Sequence, residues 1–168
     1  MKKVILIIVF GLVLSGCATS QISIVGNKVS LSSFKNIALS SNSSMLGQAV
    51  ANELVGRGYK VQSPGQTSNL MLRLNLDEAE ITEPKSLKAF SKEGVDAVIV
   101  VSAVGGYDQM PQSASVQIIN TNTLDIMVGI NWQNGWGGQQ GSIADRVMRK
   151  GLTRAAKEIV NALDASIK

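Results

Sequence analysis

Apolar residues recur along the chain with two periods, and each stretch where a period holds predicts an element. Ile37-Ala38-Leu39 is a short apolar run that ends in the polar cluster Ser40-Ser41-Asn42-Ser43-Ser44. Ser43 or Ser44 can cap a following helix, because a hydroxyl oxygen there accepts a free N–H of the first turn. Leu46, Ala49, Val50 and Leu54 then follow helical spacing, and Gly58 suits the left-handed position past the helix end. Tyr59-Lys60-Val61 opens a strand, which completes a β-α-β unit. Ser63-Pro64-Gly65 reads as a turn. Beyond it Leu70, Leu72, Leu74 and Leu76 alternate with Met71, Arg73 and Asn75, so a strand with one buried face is expected there.

Asp77, Glu78, Glu80 and Glu83 lead to Pro84, which suits the first turn of a helix whose dipole favours negative charge before it. A solvated acidic loop is therefore preferred over acid–base work or cation binding by these carboxylates. Leu87, Ala89 and Phe90 supply the apolar side of a short helix that ends at Gly94. Val95 to Val104 is apolar at nearly every position and rich in β-branched residues, the pattern of a central strand buried on both faces. Ala114, Val116 and Ile118, a polar turn over Asn120 to Thr123, and then Leu124, Ile126, Val128, Ile130 and Trp132 predict a β-hairpin. Trp132 falls on its apolar side, and a core role is expected for it.

Gly135, Gly137, Gly138 and Gly141 surround Trp136 in the next segment. Glycines between a strand and a helix raise the question of a phosphate cradle, but the spacing misses the dinucleotide fingerprint and no P-loop Lys-Ser/Thr follows. A flexible linker is the preferred reading. Trp136 either tucks back under the sheet or contacts a partner, since exposed aromatics are enriched at interfaces. Ser142, with Asp145 three residues on, resembles a capping box, and a helix is expected to run from there to about Ala165. Met148, Leu152, Ala155, Ala156, Ile159, Leu163 and Ile167 share one face; Arg146, Lys150, Arg154 and Lys157 fall on the other. That cationic face is either a solvated outer surface or a docking strip for an acidic partner or an anionic polymer.

These elements predict an α/β (alternatively α+β) single domain. Its mixed sheet has about five to six strands with a central buried strand, packed against about three helices including a long C-terminal one. The composition, 45% hydrophobic and 17% charged, is that of a folded chain. No histidine is present, which removes the commonest general base and metal ligand, and Cys17 is the sole cysteine, so no internal disulfide or thiolate metal site exists. No cofactor is expected beyond covalent lipid on Cys17, and no enzymatic activity; a Ser- and carboxylate-based hydrolase is the weaker alternative.

The first residues have a separate pattern. Lys2 and Lys3 precede an apolar run from Val4 to Leu14, far shorter than the roughly 20 residues a spanning helix needs. The run ends in Leu14-Ser15-Gly16-Cys17, which resembles the lipobox of bacterial lipoproteins. The plainer alternative is an ordinary cleaved signal peptide. The resemblance implies recognition through Leu14, Ser15 and Gly16, cleavage before Cys17, and a diacylglycerol on its sulfur. Ala18 in place of Asp resembles lipoproteins sent to the outer membrane, facing the periplasm. The expected division is a leader over 1–16, a lipidated N-terminus and tether over 17–35 with room for one edge strand, and a periplasmic domain over 36–168. Loss of Lys2 and Lys3 lowers the net charge from +4 to about +2, so no nucleic-acid partner is expected.

Three further segments carry a family likeness: Leu54 to Val61 with its Gly58-Tyr59, Gly94 to Val101, and Ile118 to Asp125. With the element order, they resemble the α/β domain of the curli-secretion lipoprotein, of lipoprotein activators of peptidoglycan synthases, and of the Tol-system propeller protein's N-terminal part. That resemblance implies a non-enzymatic envelope module working through protein contacts, for which a homo-oligomer is one form. A binding module for cell-wall glycan or another anionic envelope polymer is the alternative. The contact residues expected are Trp136, Arg146, Lys150, Arg154 and Lys157.

Overall fold

Asp96 joins the first strand of the β-α-β unit to the central strand, and the sheet is built outward from that join. In the computed structural model, which describes residues 20–26, 33–106, 110–135 and 137–165, its Oδ2 accepts the backbone N–H groups of Lys35 and Asn36 at 2.7 and 2.9 Å. Its own N–H donates to the Asn36 carbonyl. Buried Thr121 ties the same point to the hairpin, its hydroxyl donating to the carbonyls of Val95 and Asp96.

The strands are β1 (Gln21–Gly26), β2 (Asn36–Leu39), β3 (Lys60–Gln62), β4 (Ala97–Val104), β5 (Ser113–Asn120) and β6 (Ile126–Gln133), in sheet order β1-β6-β5-β4-β2-β3. β2 runs parallel to β3 and β4, as a β-α-β unit requires, whereas β4, β5, β6 and β1 are antiparallel neighbours. The helices are α1 (Met45–Gly56), α2 (Pro64–Arg73), α3 (Pro84–Lys92), α4 (Ile143–Met148) and α5 (Leu152–Ala165). This is the expected mixed six-stranded α/β sheet.

Two cores lie on its faces. Leu46, Val50 and Leu54 of α1 and Ala156, Ile159 and Leu163 of α5 bury Ile37, Leu39, Ile99, Ile118, Ile130 and Trp132. On the other face Leu70 and Met71 of α2 and Leu87 and Phe90 of α3 bury Ala38, Val98 and Ile119. α2 and α3 cover β2, the start of β4 and the Ile119 end of β5. β4 is accordingly buried on both faces over Ala97, Val98 and Ile99, but exposes Ser102 and Val104 farther along.

Several expectations are corrected. The strand expected over Leu70 to Leu76 is helix α2 and its exit, with Leu72 71% exposed. A capping box decides this: Ser63 Oγ accepts from Gln66 N while Gln66 Oε1 accepts from Ser63 N, and Pro64 sits at N1. The single helix expected from Ser142 to about Ala165 is two, because Arg149 is extended between α4 and α5. Ser44 occupies the N-cap of α1, yet neither it nor Ser43 makes a side-chain bond to the helix. The edge strand allowed for in the lead-in forms as β1, paired along its length with β6. Leu124 leaves the expected alternation, standing at positive φ in the hairpin turn, and the register shifts at Ile118/Ile119.

Candidate functional site: an N-terminal corner and an open sheet face

Ser20, the residue before β1, is held where β6 meets α5. Its hydroxyl donates to Glu158 Oε2 at 2.6 Å and accepts from Lys150 Nζ at 2.8 Å. Trp132, 1% exposed, donates its indole N–H to the same Oε2 at 2.9 Å, and Lys150 pairs with Oε1. Burial alone raises the Glu158 pKa, but hydrogen bonds from Lys150, Ser20 and Trp132 outweigh it and hold the carboxyl below its ordinary value. One carboxylate thus joins the beginning of the domain, the hairpin and the last helix.

The helix break that positions Lys150 is a backbone clamp. The Asn134 side chain donates to the Lys150 carbonyl at 2.9 Å and accepts from its N–H at 3.0 Å. These bonds occupy groups that a continuous helix would use internally, so the chain turns there. Before it, α4 packs on the glycine segment. Gly137 is buried, and a Cβ on it would meet Asp145 Cα at 2.7 Å and the Ala144 carbonyl at 2.9 Å. That segment is close-packed at Gly137, which corrects the reading of it as a flexible linker. Asp145 is fully buried: Oδ1 pairs with Arg149, and Oδ2 accepts from Gly141 N at 3.1 Å. Its own N–H donates to Ser142 Oγ at 3.2 Å, so half of the expected capping box forms.

The second feature is a sheet face without a covering layer. Beyond α2 and α3, registered neighbours run in rows across β1, β6, β5 and β4. One row is Gln21, Gln133, Ser113 and Val104; the next is Ser23, Asn131, Ser115 and Ser102; a third is Val25, Gly129 and Gln117, ending at Val100, which packs against the α2–α3 core. All are exposed or half-buried, and none is charged. A shallow depression of about 450 Å³ lies among them, lined by Gln21, Ser23, Ser102, Ser113, Asn131 and Gln133.

The contact residues expected from sequence are dispersed. Arg146 is exposed on α4, and Arg154 and Lys157 are exposed on α5. Lys150 stands in the break between them, committed to Glu158 and Ser20, so the four cations do not share one helix face. Trp136, Cys17, Leu14, Ser15 and Gly16 lie outside the described residues. The open face and the Ser20–Glu158 lock were not anticipated. Polar positions of the two hairpin strands that carry Ser, Gln and Asn but no charge were the available sign of the first; nothing local marked the second. Among the described residues no helix is long and apolar enough to cross a membrane.

Solved structures share this fold. A PelC dodecamer from Paraburkholderia phytofirmans matches over 88% of this chain and 99% of its own, at 12% identity and TM-score 0.51. Lipoprotein GNA1162 from Neisseria meningitidis matches over 77% and 99%, at 15% identity and TM-score 0.46. The LpoB C-terminal domain from Escherichia coli matches over 58% and 81%, at 18% identity and TM-score 0.42. The neighbours include lipoproteins of the kind the sequence resembles, and at these identities the likeness is one of fold. No family model and no curated protein sequence matches the chain.

Proposed function

We propose that this chain is a lipoprotein of the bacterial cell envelope, anchored through acylated Cys17, whose domain is a non-enzymatic interaction or assembly module. Leu14, Ser15 and Gly16 serve leader recognition, and Ala18 supports the outer membrane, with the domain in the periplasm. The observation that carries the interaction reading is the open sheet face. It presents rows of hydroxyl and amide groups across β1, β6, β5 and β4, free of charges that would have to be desolvated on docking. An envelope protein is the partner this face fits. The buried or half-buried carboxylates of the corner, Asp145 and Glu158, are each committed to a cation, a structural and not a catalytic use. Because the PelC neighbour is a dodecamer, self-assembly of this chain is a reasonable companion reading.

Cross-linking in intact envelopes followed by co-purification tests this. The wild-type chain should recover a protein partner or further copies of itself, and Ser115→Arg with Asn131→Arg should lose it while the far-UV spectrum is retained. Trp136→Ala tests the contact role left for that side chain. Binding to purified cell wall with no protein recovered would sink the reading in favour of a glycan-binding module. The exposed cations Arg146, Arg154 and Lys157 favour an anionic surface as a second contact.

A further inference from the structure

The Ser20 lock leaves little chain between the domain and its anchor. Only Ala18 and Thr19 separate Ser20 from Cys17, and the three Cα-to-Cα steps span at most about 11 Å fully extended. Its origin is Lys150, two residues past the end of α4 and clamped by Asn134. α4 is therefore held close to the point from which the anchor departs.

The exposed side of this short helix has an unusual make-up for a solvated surface. Ile143 is 84% exposed and Val147 75%, and as an i, i+4 pair they lie on one side, with exposed Arg146 flanking them. The opposite side is packed, with Asp145 fully buried. Over residues 142–160 five cations stand against two carboxylates, a net +3, and both carboxylates are already paired, Asp145 with Arg149 and Glu158 with Lys150. Among the described residues Arg146, Arg154 and Lys157 form no ion pair, so the surplus positive charge is at the surface. Two apolar side chains beside unpaired arginine are what a bilayer interface accepts: the aliphatic groups enter the acyl boundary and the guanidinium stays at the headgroups.

We propose that the exposed side of α4, formed by Ile143, Val147 and Arg146, is a second membrane contact that lies against an anionic bilayer beside the acylated Cys17. The inference rests on the anchor reading and deepens it, because the lead sets the distance. Screening confines surface charge attraction to about 8 Å at physiological salt, so these cations act on the bilayer only if the domain is held close. A long tether would let α4 point anywhere. With this one, contact orients the domain.

Since Cys17 is the sole native cysteine and acylation consumes its thiol, a cysteine placed elsewhere can be labelled alone. The acylated full chain carrying Val147→Cys, labelled with a polarity-sensitive thiol fluorophore, is reconstituted on phosphatidylethanolamine–phosphatidylglycerol vesicles. Leu72→Cys, exposed on α2, is the reference. The expected result is flotation of both, with a blue shift and loss of aqueous-quencher access at position 147 only. Arg146→Gln should weaken that contact about fivefold, the effect of one cation near an anionic surface. Flotation with positions 147 and 72 alike overturns the α4 contact and leaves the anchor standing. Failure to float overturns the anchor reading and the contact with it. An equal shift on pure phosphatidylcholine overturns the anionic preference.

Discussion

Glu158→Ala removes the acceptor shared by Trp132, Ser20 and Lys150, and each lost bond can be weighed from its surroundings. The Trp132 indole is buried, so its N–H, left without an acceptor, costs about 1–3 kcal/mol. The Lys150 pair has side chains 19% and 27% exposed, and with solvent screening it contributes about 0–1 kcal/mol. Together the variant should lose about 1–4 kcal/mol, with Tm falling about 2–4 °C per kcal/mol for a chain of this size. Glu158→Gln keeps a carbonyl oxygen for the indole and forfeits the ion pair, so it should lose at most about 1 kcal/mol. Urea titration of both variants beside the wild type measures these losses. Acid supplies an internal check. The folded pKa of Glu158 lies below its unfolded value, so its contribution is complete above the unfolded value and lost as pH falls through the folded one. The stability gap between wild type and Glu158→Gln should narrow across that window. Equal losses in the two variants, or a gap constant with pH, would refute the assignment of Glu158 as the charged acceptor of a buried indole.

Other perturbations isolate single contacts. Gly137→Ala should cost about 1–3 kcal/mol by overpacking, since its Cβ would fall 2.7 Å from Asp145 Cα, whereas Gly56→Ala in α1, with nothing within 4 Å, should gain about 0.5–1 kcal/mol. Thermal melts that rank the two the other way would contradict the packing described. Arg57→Ala cuts the clasp between α1 and α5, where the guanidinium bonds Glu53, Asn161 and Asp164. A loss of about 1–2 kcal/mol is expected in denaturant, smaller at high salt. Asp96→Ala leaves the Lys35 and Asn36 N–H groups without their acceptor, and faster hydrogen exchange at these two amides than in α1 is the expected reading.

Where one local pattern had no rival, sequence was sufficient. The β-branched run from Val95 could be buried only at the centre of a sheet, and alternation on both sides of Asn120 to Thr123 could pair only as a hairpin. Over Leu70 to Leu76 two patterns competed. Alternating leucines argued for a strand, but Ser63, Pro64 and Gln66 nucleate a helix that cannot stop before Leu70, and Met71 supplies the buried contact. The caps were written in the chain; weighing them against periodicity needed the opposing core of Ala38 and Val98.

The candidate surfaces divide in the same way. Residue identity alone excluded imidazole and disulfide chemistry and put Trp132 in the core. It could not reveal that the chain breaks at Lys150, since that break is made by Asn134, sixteen positions earlier in sequence. Nor could it show that Ser20 meets Glu158, a pairing across 138 positions created by β1 adding to β6. Periodicity reports only neighbours within a few residues. Which face of a sheet stays open, where Ser20 is fixed, and which cations are already paired are set by groups distant in sequence. Only the tertiary structure decides these.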